Sequence, residues 1–501
     1  MTDRTGDVLC PRYFKGSTDG KRPLSFDPLE KVRSDYDVIV IGSGLAGLTA
    51  ANVLGRAGRR VALLEQHYNF GGLATWFKRR GGHLFDISLH GFPIGMKKTC
   101  RKYWNQDIAS RIVPLEAIRF ENPQFRLRTT FTRADFTDKL VEVFRVPRAT
   151  VEAFFAAVRA MDFFDDSGET TAQLFERFFP GRNDVHRLLM EPISYANGST
   201  LEDPAISYGI VFANFMSQGV YTFCGGTDAL IEAMRSELVR NRVELYNHAE
   251  VERIVVEEGR VQGVLAHGRF LAAPAVISNA NVKTTIEKLV GPDAFEPTFL
   301  AAARAVRLNN SSCQVFLGLR RGAEIPFVGD LLFSSTRPTF DSPALCDFHG
   351  ESRTFSFYYP KTRGGGTQRY SIVSSTNAHW NDWAALDAAH YEAEKARSVE
   401  ETLEDLERYL PGVRHQIDHA EAATPRTFAF YTQHPMGTSF GTKFEGLAVS
   451  LDLPKQVEGL FHAGSVGIIM SGWLGSANYG AIVANKVDAL LAARVPVEAP
   501  S

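Results

Sequence analysis

The feature that most constrains the fold is residues 35–66, DYDVIVIGSGLAGLTAANVLGRAGRRVALLEQ. An apolar strand leads into a turn with Gly42, Gly44 and Gly47, and a small-residue helix and a second strand ending at Glu65 follow. This order is typical of dinucleotide binding, because the unpaired N–H groups and the dipole of a helix N-terminus favour a pyrophosphate. The three glycines allow the tight turn, the approach of phosphate to the backbone and close packing of helix and strand. Glu65 can accept hydrogen bonds from the ribose hydroxyl groups. The segment predicts a Rossmann-like domain.

Composition narrows the class of protein. The chain has 501 residues, 44% of them hydrophobic, which is long enough for two domains. Its formal net charge is −2, so no strong positive field would attract nucleic acid. Five cysteines lie far apart and form no CxxC pair, which argues against a disulfide framework or a metal site. We expect no metal and a reducing, cytoplasmic location, with peripheral contact on the inner face of a membrane as the alternative. No apolar run approaches the roughly 20 residues of a membrane span, and no signal peptide is expected.

The order of segments predicts an α/β protein. We expect a discontinuous Rossmann-like domain, whose parallel sheet carries an antiparallel insertion, and a mixed α+β substrate domain with a helical, Phe-rich insertion. The predicted boundaries are 1–34 for an N-terminal extension, 35–132, 216–295 and 455–501 for the nucleotide-binding domain, and 133–215 and 296–454 for the substrate-binding domain.

Further blocks follow the glycine motif in a fixed order: Gly71–Gly72, GHLFDISLH, GGTDALIEAM with AEVERI, VISNAN, TPRTFAFYTQHPMGTSFGT, and GLFHAGSVGIIMSGWLGSANYGAIVANKV. Together they resemble the phytoene desaturase, carotenoid isomerase and retinol saturase family, within the amine-oxidase-like flavoproteins. The resemblance covers the chain from about residue 35 to the last helix. It implies FAD as cofactor, with Val251 contacting the adenine through its backbone and the last helix directing its N-terminus at the flavin ring.

The motif and the resemblance together imply these cofactor-binding residues: Gly42, Ser43, Gly44, Leu45, Ala46, Gly47, Glu65, Gln66, Gly71, Gly72, Leu73, Val251, Asn279, Gly464, Ser465, Gly472, Trp473 and Leu474. Two positions depart from the family pattern. Leu73 stands where an arginine often neutralises phosphate, and Ser465 stands where an acidic residue often contacts the ribityl chain. Backbone amides would then do more of the binding, and we expect the affinity for FAD to be lower than is usual in the family.

Four residues are candidates for catalysis. Trp473 is predicted to lie beside the isoalloxazine, with core packing as the alternative. Asp86 and His90 lie in the segment expected to return beside the flavin, where either could move a proton, while Asp86 could instead fix a turn. His434 falls in a block that resembles a family segment near the substrate channel, and an ordinary turn histidine is the alternative.

The resemblance and the aromatic-rich insertions predict an apolar tunnel for a lipophilic polyene or prenyl substrate. Desaturation by hydride transfer to flavin, with quinone or oxygen as final acceptor, is the leading reaction, and saturation and cis–trans isomerisation stand close behind. An amine oxidase and a non-catalytic prenyl-binding chaperone are the alternatives. Paired phenylalanines at Phe154, Phe163 and Phe178 could form a lip that enters one leaflet of a membrane, or could be helix core.

Overall fold

The computed structural model describes residues 27–87, 91–161, 168–363 and 369–494. Within these ranges the strands are β1 Val38–Ile41, β2 Val61–Leu64, β3 Trp76–Arg79, β4 His83–Asp86, β5 Phe92–Pro93, β6 Ile112–Pro114, β7 Ile118–Glu121, β8 Arg126–Thr129, β9 Val220–Phe223, β10 Glu244–Tyr246, β11 Val251–Glu257, β12 Arg260–Ala266, β13 Arg269–Ala272, β14 Val276–Ser278, β15 Ser311–Leu319, β16 Leu331–Ser335, β17 Ser352–Tyr358, β18 Ser371–Ala378, β19 Ile417–Ala423 and β20 Leu460–His462.

The α-helices in the same ranges are α1 Leu45–Arg56, α2 Gly95–Tyr103, α3 Gln106–Ser110, α4 Arg133–Glu142, α5 Arg148–Ala160, α6 Thr171–Phe178, α7 Asn183–Asn197, α8 Ala205–Met216, α9 Gly226–Arg240, α10 Val282–Thr284, α11 Pro297–Ala305, α12 Pro360–Arg363, α13 Trp380–Ala384, α14 Ala388–Glu407, α15 Pro425–Thr432, α16 Gly446–Gln456 and α17 Gly472–Ala493. A π-helical turn, Thr285–Val290, continues α10, and short 3₁₀ turns lie at Pro292–Ala294, Pro343–Cys346, Val413–Gln416 and Pro435–Gly437.

The N-terminal motif forms the centre of a parallel sheet. Its described strands have the order β10-β2-β1-β14-β20, and every neighbouring pair is parallel. All four residues of β1 and of β2 are buried, as expected where helices cover both faces of a sheet. Helix α17 packs closely on α1, and Gly480 allows this approach because any side chain there would overlap the Ala46 carbonyl. Strands near both ends of the chain thus form one sheet, which confirms the discontinuous Rossmann-like fold.

The antiparallel insertion is also confirmed. Strands β11, β12 and β13 form an antiparallel sheet between β10 and β14 in the chain. Its first residue, Val251, is buried. The insertion therefore places Val251 beside the carboxyl end of β2, because the Ala249 N–H donates to the Glu65 carbonyl at 2.8 Å.

A larger mixed sheet forms the other half of the molecule. Its described strands have the order β19-β15-β18-β17-β16-β7-β8, and β16 and β7 are the parallel neighbours. Strands β7 and β8 lie inside the range 35–132, yet they pair in this sheet and not in the parallel one. We therefore propose the two-domain division predicted from the sequence, with residues 118–129 moved to the substrate-binding domain.

The Phe-rich helices α4 to α8 form a core of their own on this sheet. Phe154 is fully buried, and its ring lies 5.0 Å from that of Phe179 and 5.9 Å from that of Phe212. Phe155 is buried as well, and the half-buried Phe178 packs on Phe154. The membrane-lip interpretation is therefore wrong for Phe154 and Phe155, because these side chains are helix core. Phe163 lies outside the described residues.

Among the helices of the described ranges, none combines the length and the apolar character that crossing a bilayer requires.

Candidate cofactor and substrate site

A cavity of about 1000 Å³ is lined by the carboxyl ends of β1 and β2 and by one face of the seven-stranded sheet. Its volume lies at the upper end of the roughly 300–1000 Å³ typical of small-molecule sites. The cofactor-binding residues predicted from the sequence line this cavity, with the exception of Gly47 and Gly464. Segments between residues 41 and 482 contribute to its wall, so the cavity forms only in the complete fold.

The glycine turn after β1 leaves its backbone open to the close approach of a phosphate. Gly42 has φ +90°, a left-handed conformation that glycine adopts without strain. A Cβ on Gly44 would lie 2.6 Å from the Asn279 side-chain oxygen, and one on Gly72 would lie 2.9 Å from the Gly44 Cα. Gly44 is also the N-cap of α1 and supplies no side-chain cap, so the first-turn N–H groups can bind a phosphate. Gly47 lies beneath, against the Gly42 carbonyl.

Glu65 is buried at the end of β2 and faces the turn. Its Oε2 accepts the Ser43 backbone N–H at 2.8 Å and the Ser43 hydroxyl at 2.6 Å, and its Oε1 accepts the His67 N–H at 2.8 Å. Burial raises the pKa of Glu65, while these donors favour the ionised form. Two carboxylate oxygens can accept about four hydrogen bonds, which leaves capacity for a ribose hydroxyl.

The second glycine pair is held directly against this turn. The Gly71 N–H donates to the Ser43 carbonyl at 3.0 Å and to the Ser43 hydroxyl oxygen at 3.1 Å. Ser43 therefore connects Glu65 to the segment carrying Gly71, Gly72 and Leu73. This serine was predicted only as part of the glycine motif, and the structure gives its side chain a defined role.

The charge of a pyrophosphate would be met here mainly by backbone N–H groups. The cations among the described lining residues are Arg79, Lys288 and Lys395, and each forms an ion pair with a glutamate. Leu73 and Ser465 also line the cavity and carry no charge. Because Leu73 and Ser465 cannot neutralise a phosphate, the N–H donors of the α1 first turn would supply most of the contacts to the pyrophosphate.

The wall of the cavity also includes the segments expected at the two ends of the cofactor. Val251 lies next to Ala249, whose N–H donates to the Glu65 carbonyl, and Ser465 and Gly472–Leu474 line the same cavity. Gly464 lies behind the wall, where a Cβ would be 2.5 Å from the Ala280 carbonyl oxygen. The glycine turn, Glu65, the Val251 segment and the start of α17 therefore fit an elongated dinucleotide.

Trp473 lines the cavity at the start of α17 and also packs against a neighbour. Its ring is stacked on Phe92, with centroids 5.1 Å apart and planes inclined by 17°. Both interpretations of this residue thus have support from its position. Its role beside the flavin stays a prediction.

His434 also lines the cavity, in the turn after α15. Its Nδ1 lies 3.0 Å from the Thr438 carbonyl oxygen, so Nδ1–H is the donor and Nε2 is left as an acceptor. Burial lowers the pKa of His434, which favours the neutral imidazole. The Nε2 lone pair of the neutral ring can accept a hydrogen bond, but the lowered pKa makes this imidazole a weaker base than an exposed histidine, and its catalytic role stays a prediction.

The structure does not bring Asp86 to the cavity. Its side chain is fully buried at the end of β4, and its carboxylate accepts the Thr227 backbone N–H at 3.0 Å and the Thr227 hydroxyl. Thr227 lies in the first turn of α9, so Asp86 fixes the start of this helix, in keeping with the turn-fixing alternative. His90 lies outside the described residues.

The face of the seven-stranded sheet supplies the rest of the wall. Ile118, Phe316, Leu331 and Phe333 line the cavity from this face, as the predicted apolar tunnel requires. Four polar residues of the same face line it too, and the sequence analysis did not identify them: Ser312, Gln314, Thr354 and Ser375. The polar residues in strands such as SSCQVFLGL were visible in the sequence. Which of them share one face of the sheet depends on how the strands pair, and this is not visible in a single strand.

Comparisons with known proteins agree with this geometry. The profile of the flavin-containing amine oxidoreductases matches residues 45–481. Prolycopene isomerase 2 of an Oncidium hybrid cultivar is 24% identical, over 81% of this chain and 75% of its own. Human all-trans-retinol 13,14-reductase is 22% identical, over 82% and 78%. The lycopene-forming phytoene desaturase of Pseudescherichia vulneris is 25% identical, over 80% and 88%.

Solved structures share the fold. An oxidoreductase from Methanosarcina mazei superposes with a TM-score of 0.65 at 18% identity, covering 91% of this chain and 99% of its own. A double mutant of putrescine oxidase superposes with a TM-score of 0.61 at 15% identity, with the same coverage. The family resemblance inferred from the sequence blocks is confirmed, and FAD is the cofactor. Because the profile spans most of its length, the chain belongs to the family of flavin-containing amine oxidoreductases.

Proposed function

We propose that this FAD-dependent oxidoreductase acts on carbon–carbon bonds of a carotenoid, a retinoid or a related isoprenoid. Desaturation is the leading reaction, and saturation and cis–trans isomerisation are the two other forms of the proposal. The names of the relatives support this substrate class, since they include a prolycopene isomerase, a retinol reductase and a phytoene desaturase.

The observation that carries the proposal is the continuity of the cavity. One wall holds the residues that fit the dinucleotide, and the same space extends over Phe316, Leu331 and Phe333 to the helices of the Phe-rich core. Ile210, Val211 and Phe215 line it there. A long apolar chain could therefore lie against the sheet while one of its bonds reaches the flavin side of the cavity.

The main contribution of the protein would be to orient the substrate at the flavin and to keep water away from the reacting bond. Bound FAD supplies a hydride acceptor or donor. The apolar side chains of the sheet face hold the substrate and exclude water, and Trp473 limits the cavity at the start of α17. Charge that develops on a conjugated chain is delocalised, so a strong base is not needed. We assign proton exchange, where the reaction requires it, to Nε2 of His434.

An amine oxidase is the weaker candidate, although putrescine oxidase shares the fold. A cationic amine needs an unpaired carboxylate or an aromatic cage. The acids among the described lining residues are already engaged, because Glu250, Glu392 and Glu421 pair with cations and Glu65 accepts three hydrogen bonds. A non-catalytic chaperone would not need flavin. An absorption spectrum of the purified protein tests this alternative, because flavin absorption bands would contradict it.

Anaerobic mixing tests the proposal. The flavin-loaded protein, oxidised or chemically reduced, is mixed with linear carotenes and with retinol, and products are separated by chromatography. Desaturation bleaches oxidised flavin and adds a double bond, whereas saturation reoxidises reduced flavin and removes one. Isomerisation changes geometry at constant bond count. If no polyene changes either its own structure or the flavin spectrum, the proposal is wrong.

A further inference from the structure

Helix α2 is strongly basic. Its nine residues, GMKKTCRKY, include Lys97, Lys98, Arg101 and Lys102 and no acidic residue. Lys98, Arg101 and Lys102 are exposed. The exposed Arg56 at the end of α1 reaches the same helix, because its Nη1 donates to the Lys102 carbonyl at 2.9 Å. The ends of α1 and α2 thus form one positive surface.

Most of these cations have no acidic partner. Lys97 donates to the Ile112 carbonyl at 3.2 Å. The other four form no ion pair within the described part of the chain, and we call them the basic rim: Arg56, Lys98, Arg101 and Lys102. Like charges that are held close together repel one another, so an anionic surface placed against the basic rim would relieve this repulsion.

The basic rim lies next to the helix that begins at the flavin end of the cavity. A Cβ on Gly95 of α2 would lie 2.8 Å from the side chain of Leu474 in α17. One turn later, the Thr99 hydroxyl donates to the Asn478 side-chain oxygen at 2.7 Å. The contacts advance by one turn in both helices, so α2 and α17 run side by side in the same direction. This register places the last turn of α2 beside Ile482.

Ile482 marks a place where the cavity reaches the surface. It lines the cavity and is 41% exposed, although its side chain is apolar. Asn214 of α8 also lines the cavity and is exposed, and Ile210 and Val211 line it beside Asn214. Helices α8 and α17 both pack on β5, so these side chains lie around one opening. A largely apolar opening is therefore adjacent to the basic rim.

An anionic lipid bilayer matches both features. Basic residues are attracted to the negative surface potential of anionic lipids, and apolar side chains such as Ile482 can enter the boundary between headgroups and acyl chains. An acidic protein would match the charge alone. A ligand that suits the apolar wall of the cavity dissolves poorly in water, so a bilayer is also the phase from which it would come.

We propose that the basic rim docks the protein on an anionic lipid bilayer, with the opening at Ile482 facing the lipid so that a lipophilic ligand passes from the bilayer into the cavity. The choice of a bilayer rests on the proposed function, because it assumes a lipophilic ligand. This contact is electrostatic, unlike the phenylalanine lip expected from the sequence, and it must therefore weaken as salt is added.

Co-sedimentation with vesicles tests the proposal. The flavin-loaded protein is mixed, without any polyene, with vesicles of phosphatidylcholine or of equimolar phosphatidylcholine and phosphatidylglycerol. At about 0.1 M salt, where charges act over about 10 Å, partition into the anionic vesicles should be at least about tenfold stronger. At about 1 M salt, where this range falls to about 3 Å, the difference should disappear.

A triple variant removes three cations of the basic rim: Lys98→Gln, Arg101→Gln and Lys102→Gln. It should weaken partition into the anionic vesicles about a hundredfold at low salt, which corresponds to about 2.8 kcal/mol. The matched control removes the same charge from exposed positions elsewhere in the chain and should partition like the wild type: Lys31→Gln, Arg253→Gln and Arg321→Gln. Flavin content and thermal unfolding confirm that both variants are folded.

Equal partition into neutral and anionic vesicles, or equal partition of the triple variant and the wild type, overturns the inference. If the protein binds neither kind of vesicle but binds polyglutamate at low salt, the basic rim fits an acidic protein and the inference is likewise overturned. No polyene is present, so these results leave the proposed function standing. If instead the polyenes fail in the anaerobic test while the triple variant loses vesicle binding, the proposed function is wrong and the docking surface stands.

Discussion

At the scale of single residues, Ser43 and Glu65 organise the nucleotide end of the cavity. The Ser43 hydroxyl donates to Glu65 and accepts from the Gly71 N–H, so it ties the end of β2 to the second glycine pair. The His67 N–H completes the set of donors around the carboxylate. The carboxylate predicted to bind the ribose is therefore held in place by the chain before any ligand binds.

Glu65→Gln should weaken FAD binding by about tenfold to a hundredfold. The amide NH₂ would face a backbone or hydroxyl donor, and an unpaired buried donor costs about 1–3 kcal/mol. A fluorescence titration of apoprotein with FAD measures the change. Glu237→Gln is the control, because Glu237 is equally buried in α9 but does not line the cavity. Equal FAD affinity in the Glu65 variant and the wild type would contradict the assignment.

The sequence predicted these residues because a dinucleotide requires particular residue types at fixed spacing. It could not distinguish catalysis from turn fixing at Asp86, since only the packed structure shows Thr227 against that carboxylate. It likewise left the paired phenylalanines open. Phe154 and Phe155 could be assigned to the core only once α6 and α8 were seen to cover them.

At the scale of elements, buried side-chain contacts set where helices begin and how they meet. Asp86 of β4 binds the first turn of α9. On the other side of the parallel sheet, His462 of β20 accepts the Ser450 hydroxyl of α16 at Nδ1, at 2.7 Å, and donates from Nε2 to the Ala280 carbonyl at 2.9 Å. The Tyr479 hydroxyl of α17 lies 2.6 Å from the same serine oxygen.

Asp86→Asn and Thr227→Val should each lower the free energy of unfolding by about 1–2 kcal/mol, because each removes part of the same helix cap. Urea unfolding of the apoprotein measures both variants and their combination. Since the two groups act on one contact, the double variant should lose less than the sum of the single losses. Strictly additive losses would show that the two side chains act independently.

His462 should make the fold sensitive to acid. Burial lowers its pKa from 6.5 to about 4, so the unfolded chain binds a proton at a higher pH than the folded chain does. Stability from this group is complete above about pH 6.5 and is lost as pH falls towards 4. At pH 5 the loss is about 2 kcal/mol relative to pH 7.5.

Urea unfolding of wild type and His462→Gln at pH 7.5 and pH 5 measures this contribution. The variant should lose about 2 kcal/mol less than the wild type on acidification. His267→Gln, at an exposed position, should keep the wild-type pH dependence. A His462 variant with the full wild-type loss would place the acid sensitivity elsewhere.

The element scale also shows why three polar residues on the cavity face of the seven-stranded sheet escaped prediction. Gln314, Thr354 and Ser375 are separated by 21 or more positions in the chain, and each occurs in a strand with mixed polar and apolar residues. Periodicity within one strand indicates which residues share a face. Only the pairing of β15, β18 and β17 brings the three into one row, and the order in which strands pair cannot be predicted from the sequence of one strand.

At the scale of the whole molecule, the cavity joins distant parts of the chain. Its wall includes the turn after β1, the Val251 segment, the face of the seven-stranded sheet and the start of α17. The predicted alternation of strands and insertions anticipated this discontinuous arrangement. A ligand that contacts all these segments stabilises the entire fold, since it binds the native state and not the unfolded chain.

FAD at about 100 times its Kd should raise the stability of the apoprotein by about 2.7 kcal/mol. A thermal shift titration measures the effect. FMN, which lacks the adenosine half and so cannot reach Glu65 and Val251 from the flavin side, is the matched ligand control and should give a clearly smaller shift at equal concentration. Equal shifts with FMN and FAD would argue against the adenine-side assignment.

The packing of α17 on α1 has a further consequence for biosynthesis. The glycine turn leaves the ribosome early, but its partners around Ser465 and Trp473 are synthesised more than 400 residues later. During translation the nascent chain can hold at most the adenosine portion of its coenzyme. Binding of the flavin half of the coenzyme is therefore expected only after the whole chain has been synthesised.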